Sequence, residues 1–450
     1  MSATTRDAGA GMPVTNRQMV SAIIASCLGW SFDLFDLFIL LYVAPVLGHA
    51  FFPSTHPTLS LSAVYAAFAV TLLMRPVGSA VFGSYADVHG RKRAMTVAVV
   101  GVGIATAIFG LLPTIQQVGV IAPVMFLVMR LVQGVFVGGV VASTHTIGTE
   151  SVPARWRGTM SGLVGGGGGG IGGLLASGVF LLASTLFPGA LFAVWGWRFM
   201  FFCGIASSFL GFFVFRNLEE SPVWKLMDEK RAARRAAVAG EGGISTTRSP
   251  LRTLFASEYR GVLLVNLLIT FGGGAGYYLT SGYMPTFLKV VNRLPNHETS
   301  LILIVTSLAA ICASLLVGTL SNLTGRRTMF RIMGAANVIL LPILFLSMPG
   351  AHGVTTVALY AVAICFLGNA AYAPVLIFLN ERFPTAMRAS GTGLSWNIGF
   401  ALGGTMPIFV SLASGSPAGI PAALAVFVAG IYVVFLIGTL VIPETRGRLE

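Results

Sequence analysis

Gly83-Ser84-Tyr85-Ala86-Asp87-Val88-His89-Gly90-Arg91-Lys92 is echoed later in the chain by Gly318-Thr319-Leu320-Ser321-Asn322-Leu323-Thr324-Gly325-Arg326-Arg327, with both glycines and both basic residues in register. A second pair repeats at nearly the same offset: Glu150-Ser151-Val152-Pro153-Ala154-Arg155-Trp156-Arg157 and Glu381-Arg382-Phe383-Pro384-Thr385-Ala386-Met387-Arg388. Glu219-Glu220-Ser221-Pro222 and Pro443-Glu444-Thr445-Arg446-Gly447 extend the correspondence. The chain is a duplicated unit. Between these loops lie apolar runs of bilayer-spanning length, roughly 20 residues each. They fall at about 20–47, 61–84, 94–112, 121–147, 159–187 and 196–216, and again at about 260–288, 299–320, 330–348, 354–380, 387–414 and 420–442.

Composition agrees. With 55% hydrophobic and 10% charged residues in 450, there is too little polar surface for a soluble globule. The expected fold is an all-α membrane protein of about 12 transmembrane helices in two pseudo-symmetric halves. The expected organisation is a tail at 1–19, a six-helix bundle at 20–216, a charged linker at 217–259, a second bundle at 260–442 and a tail at 443–450. Most of the 28 Lys and Arg residues fall in the tails, the linker and the loops after spans 2, 4, 8 and 10, whereas the opposite loops hold only Arg198, Lys289 and Arg293. Basic loops stay in the cytoplasm, which places both termini there. The same distribution accounts for the net charge of +13 without a nucleic-acid partner. The first apolar run is too long for a removable signal peptide. Cys27, Cys203, Cys312 and Cys365 lie in apolar spans and suggest neither disulfides nor a metal site. Parallel repeats of six helices build transporters with a site between the halves.

Residues Gly83, Asp87, Gly90, Arg91 and Lys92 between spans 2 and 3 make a loop similar to that of the major facilitator superfamily. Within it the chain resembles the metabolite:proton symporters, with the sialate/lactate:proton symporters close behind. The likeness rests on Arg75-Pro76-Val77-Gly78, Arg130-Leu131-Val132-Gln133-Gly134, Trp195-Gly196-Trp197-Arg198, Tyr277-Tyr278 and Tyr283-Met284-Pro285-Thr286-Phe287-Leu288. Where those families often carry Glu-Trp-Tyr-Asp, this chain has Asp33-Leu34-Phe35-Asp36, and where they often carry Gly-Gly-Glu-Trp it has Gly138-Gly139-Val140-Val141. The resemblance implies a proton-coupled carrier working by alternating access.

Asp33 and Asp36 are the acidic residues inside a long apolar span, and ionisable groups at that depth are costly and functional by default. Three residues apart, they share a helix face. Arg130, in the outer half of span 4, needs an anion beside it. The expected cycle has Asp36 titrating and Arg130 exchanging it for an anionic substrate. Asp33 lies one turn deeper as a coupled neighbour, and either carboxylate could carry the proton. Arg75, next to Pro76, is assigned to packing or gating, and His145 to structure. The second half has no charge in its spans, so Tyr277, Tyr278, Asn369, Tyr372, Trp396 and Asn397 are its substrate-binding candidates through shape and neutral hydrogen bonds.

A conformational latch is expected from Gly83, Asp87, Gly90, Arg91, Lys92, Glu150 and Arg157, and from their copies Gly318, Gly325, Arg326, Glu381 and Arg388. Asn322 stands where Asp87 does in the first copy and brings no charge. The six glycines Gly165 to Gly170 contain Gly-x-Gly-x-x-Gly, but no strand precedes them. They suit close helix contact in a membrane. The expected activity is proton-coupled uptake of a small organic anion, a mono-, di- or tricarboxylate, across a plasma membrane. The carrier is expected to be a monomer in lipid, without cofactor, metal or catalytic residues. The alternatives are symport of a zwitterion, such as a betaine or an amino acid, and facilitation without protons.

Overall fold

At bilayer depth no water meets backbone N–H and C=O groups, so apolar runs satisfy them internally as helices. The computed structural model describes residues 16–89, 91–150, 152–216, 257–384 and 388–448. Twelve of its helices are long and apolar enough to cross a membrane. The first half holds α1 (Met19–Tyr42), α2 (Pro57–Phe82), α3 (Lys92–Phe109), α4 (Ile121–Val140), α5 (Arg157–Leu186) and α6 (Phe192–Phe213). The second holds α7 (Tyr259–Val290), α8 (Asn296–Thr324), α9 (Arg326–Gly350), α10 (Val354–Asn380), α11 (Ser390–Ser414) and α12 (Pro417–Val441). Most of the expected linker lies outside the described residues.

The first expected span runs too far. The helix stops at Tyr42 and a separate short helix follows, Ala44–Phe51, because Pro45 near its start has no N–H to continue the ladder. Three π-helical turns interrupt the long helices, Leu163–Gly167 in α5, Phe192–Gly196 in α6 and Tyr278–Gly282 in α7. Such turns leave backbone groups available to other partners.

Glycine decides where the halves touch. Gly158, Gly162, Gly166 and Gly170 recur every fourth residue and so lie on one face of α5. A Cβ on them would collide with α8: with the Gly318 carbonyl, the Ser314 carbonyl, the Ser314 hydroxyl and Ile311 respectively. This backbone-to-backbone approach is open only to small residues. At the opposite end of the bundle from the basic loops, the Tyr65 ring of α2 stacks on Tyr283 of α7 at 5.1 Å between centroids. Its hydroxyl lies 2.7 Å from that of Thr286. The halves therefore meet at both ends and enclose the centre.

Two basic residues expected in loops are held inside helices. Arg198 of α6 donates to the Gly110 and Leu112 carbonyls, each at 2.8 Å. Lys289 lies in α7, so the second half does bring a charge into its spans. Its Nζ sits 5.3 Å and 5.4 Å from the ring centroids of Phe180 and Phe192. Those π faces offset part of the desolvation of the ammonium, and so the helix runs past the expected boundary.

Gly162→Ala is expected to cost about 1–3 kcal/mol by overpacking, because the Ser314 backbone cannot swing aside. Gly178→Ala, with nothing within 4 Å of its new Cβ, should leave the thermal midpoint in detergent unchanged. Equal midpoints for the two variants would contradict the close α5–α8 approach.

Candidate functional site

Four charged residues of the first half are buried together: Asp33, Asp36, Arg75 and Arg130 are each 2–3% exposed. They make two separate arrangements. Arg75 of α2 pairs with Asp33, its Nη2 3.2 Å from Oδ2, and the guanidinium lies 5.8 Å from the Trp30 ring centroid. Arg75, expected to serve packing or gating, is thus the ionic partner of Asp33. Both are deeply buried, which makes the pair costly to break from one side.

Asp36 and Arg130 share a polar cluster but form no ion pair. Arg130 lies over Phe109, 4.1 Å from the ring centroid, and 5.1 Å from that of Phe126. Its Nη1 donates to Gln133 Oε1 at 2.6 Å, and Gln133 Nε2 donates to the Thr106 hydroxyl at 2.7 Å. The Thr106 and Ser207 hydroxyls border the Asp36 carboxyl, which also feels the field of Arg130. Arg130 Nε and Nη2 and both Asp36 oxygens have no hydrogen-bond partner among the described residues. Gln133 and Thr106 thus form a hydrogen-bonded chain that runs from Arg130 to the border of the Asp36 carboxyl. Sequence reasoning missed those two links, although Gln133 stands one helical turn from Arg130, the spacing that brings side chains together.

The second half contributes aromatic rings and amides, as expected. Tyr277 packs edge-on against Tyr372 and Tyr278, at 5.2 Å and 5.4 Å between centroids. Trp396 stacks on Phe400 at 4.2 Å and meets Trp30 edge-on at 5.8 Å. The Trp30 indole N–H and the Tyr372 hydroxyl both donate to the Gly165 carbonyl, at 2.9 Å and 3.3 Å. That acceptor lies within the π turn of α5, so the irregularity lets one backbone oxygen bind both halves. Asn397 Nδ2 donates across the halves to Ser79 Oγ at 3.2 Å.

Between these groups lies a small central cavity of about 10 Å³, room for about one water. Phe38 and Tyr42 of α1, glycines of α5, Tyr277 and Ser281 of α7, Thr306 and Ser307 of α8 and Asn369 of α10 line it, and among the described residues no charged side chain does. Asn369 and Tyr277 were expected there. Ser281, Thr306 and Ser307 were not: serine and threonine satisfy themselves on their own helix and look ordinary in an apolar run.

At the basic face the latch candidates divide. Gly90 lies outside the described residues, as do the side chains at Gly83, Asp87, Arg91, His145 and Glu150. Lys92 opens α3 and Arg157 opens α5. In the second copy, Arg326 meets Glu381 through two contacts of 3.3 Å, and Glu381 accepts from the Thr445 hydroxyl at 2.7 Å. Arg388 donates to the Asn380 carbonyl at 3.0 Å. These contacts stay within the second half. Asn322 crosses instead: its Oδ1 accepts from Arg326 at 3.0 Å and from the Gly158 N–H at 3.1 Å, while Nδ2 donates to the Arg155 carbonyl at 3.1 Å. An amide both donates and accepts, so it links the halves without charge.

Glu444 closes this network. Its carboxylate accepts from the N–H groups of Arg326 and Arg327 at 2.9 Å and 3.0 Å, capping the N-terminus of α9. It also accepts from the N–H groups of Thr445 and Arg446. Burial raises the affinity of this carboxyl for a proton, but the four donors outweigh burial and hold it below its ordinary value of 4.5.

Comparison with known proteins agrees with this architecture. The family model described as Major Facilitator Superfamily matches residues 19–407. An inner membrane metabolite transport protein of Escherichia coli is 29% identical over 444 residues, covering 97% of this chain and 96% of that protein. A glycine betaine/proline/ectoine/pipecolic acid transporter of Dickeya dadantii is 28% identical over 396 residues, 88% of this chain and 77% of its own length. A proline/betaine transporter of Escherichia coli is 29% identical over 401 residues, with the same coverage. The xylose transporter of Escherichia coli, in a partially occluded inward-open conformation, superposes with a TM-score of 0.72. It covers 96% of this chain and 99% of that one at 18% identity, a likeness of fold alone.

Asp33→Asn should cost about 3–5 kcal/mol, since it leaves Arg75 buried and uncompensated, and adding Arg75→Gln should recover part of the loss. Equal midpoints for the single and double variants would contradict a buried pair. A carboxyl with a depressed folded value stabilises above its unfolded value, and that contribution is lost as pH falls through the folded one. Glu444→Gln should therefore melt below the wild type at neutral pH, with the gap closing below about 4.5. A gap independent of pH would exclude the charged cap.

Proposed function

The chain belongs to the major facilitator superfamily of transporters, and from that membership we propose that it carries a small zwitterion inward together with protons. One observation carries the choice of substrate: the central cavity is lined by rings, hydroxyls, an amide, glycines and two aliphatic side chains, with no charged group among the described residues. An anion there would be a buried charge without a partner, which is expensive. A zwitterion neutralises itself over a few ångströms, and aromatic faces favour its cationic end.

The organic anion favoured by the sequence depended on a free Arg130 or Arg75. Arg75 is paired with Asp33. Arg130 lies over Phe109 and is bonded to Gln133, and neither arginine lines the cavity. Two of the named relatives point the same way, since those transporters are described for proline, betaines, ectoine and pipecolic acid.

Asp36 is the proton carrier in this proposal. Its oxygens have no hydrogen-bond partner among the described residues, and Arg130 stands beyond Gln133 and Thr106. Asp33, held by Arg75, is the fixed neighbour. The Asn322 bridge to Gly158 and Arg155 is the latch at the basic face, which we place in the cytoplasm with both termini. The Tyr65–Tyr283–Thr286 contact closes the other side. Alternating access then breaks one closure at a time.

In proteoliposomes with an imposed pH gradient, labelled proline or glycine betaine should accumulate and a protonophore should collapse the gradient of label. Lactate and succinate should not accumulate. Asp36→Asn should abolish accumulation and keep counterflow; full pH-driven accumulation by this variant would remove Asp36 from the coupling step.

A further inference from the structure

Asn369 is fully buried in α10, and its amide is fixed by its neighbours. Nδ2 donates to the Cys365 carbonyl at 2.7 Å, a group that can only accept, and to Ser281 Oγ at 2.8 Å. Both amide hydrogens are therefore in use. Oδ1 has no hydrogen-bond partner among the described residues, and Asn369 lines the central cavity.

The neighbouring hydroxyls add acceptors rather than donors. Thr306 and Ser307 each send their proton to the Leu303 carbonyl, at 3.0 Å and 2.7 Å. These two hydroxyls keep only lone pairs for anything in the cavity. Tyr277, 2% exposed, also lines the cavity; its hydroxyl, which can donate as well as accept, has no partner among the described residues, and its ring meets Phe38 edge-on at 6.1 Å.

We propose that this cavity is an ammonium subsite built to receive N–H bonds, so that it selects primary and secondary amines, amino or imino acids, over fully N-methylated betaines. The inference rests on the zwitterion reading above and narrows it. A buried amide oxygen without a donor is costly, and a ligand N–H relieves it, whereas an N-methyl group leaves it unmet. Aromatic faces alone would pull the other way, because they accept a quaternary ammonium as readily as any cation. The orphaned Asn369 oxygen, beside the lone pairs of Thr306 and Ser307, decides between the two. Size acts in the same direction, since a cavity with room for about one water must widen for each added methyl.

The test uses three ligands with one ring and one carboxylate: proline, N-methylproline and N,N-dimethylproline. Their apparent affinities are measured by competition for counterflow in proteoliposomes of the full-length chain. The wild type should bind dimethylproline at least about tenfold more weakly than proline, the scale of a lost hydrogen bond at a buried acceptor, with the monomethyl compound between them. Asn369→Leu, similar in shape and without the amide, should erase the difference between proline and dimethylproline. Equal or tighter binding of dimethylproline by the wild type overturns the proposal, and this comparison decides even if the variant does not fold. Binding of none of the three overturns the zwitterion reading itself, and this inference with it.

Discussion

The cost of holding charge away from water organises this molecule. Two carboxylates and two guanidiniums lie within one six-helix half at 2–3% exposure, and each is treated differently. Asp33 and Arg75 neutralise one another at 3.2 Å. Arg130 is spread over an aromatic face and a glutamine amide. Asp36 alone of the four has no hydrogen-bond partner among the described residues. In the proposed cycle that leaves Asp36 to carry the proton. The second half brings rings and amides to the centre.

Close backbone approach is the second requirement. The glycines of α5 bring it against α8 so tightly that side chains are excluded, and the π turn within the same run turns the Gly165 carbonyl toward Trp30 and Tyr372. A bundle packed through backbone can part or close with few side chains rearranged. At the basic face, the chain of contacts from Glu444 and Glu381 through Arg326 to Asn322 and Gly158 ties the last tail to the first half. Movement of α5 against α8 must break the Asn322 end of that chain, because its other members lie within one half.

The duplicated loops made the two-half fold legible before any coordinates, because a repeat states connectivity and the apolar runs state length. Asp33, Asp36 and Arg130 were legible for a related reason: a charge in an apolar run has few bland explanations. Their pairing was not. Depth along a helix can be counted in residues, but the rotation of α2 and α4 about their axes is set by packing, and that rotation gave Asp33 to Arg75. Lys289 was assigned to a loop because Phe180 and Phe192, which make its burial tolerable, are distant in sequence. Asn322 was discounted for lacking charge, although hydrogen bonding to Gly158 and Arg155 needs none.

Zwitterion symport leaves an electrical trace. A zwitterion has no net charge, so its entry with a proton moves positive charge, whereas a monocarboxylate entering with one proton moves none. Current recorded from proteoliposomes on a solid-supported membrane, on adding proline at equal pH on both sides, tests this directly. The proposal predicts an inward positive current that persists without any gradient and is lost in Asp36→Asn. Proline transport without current would contradict it.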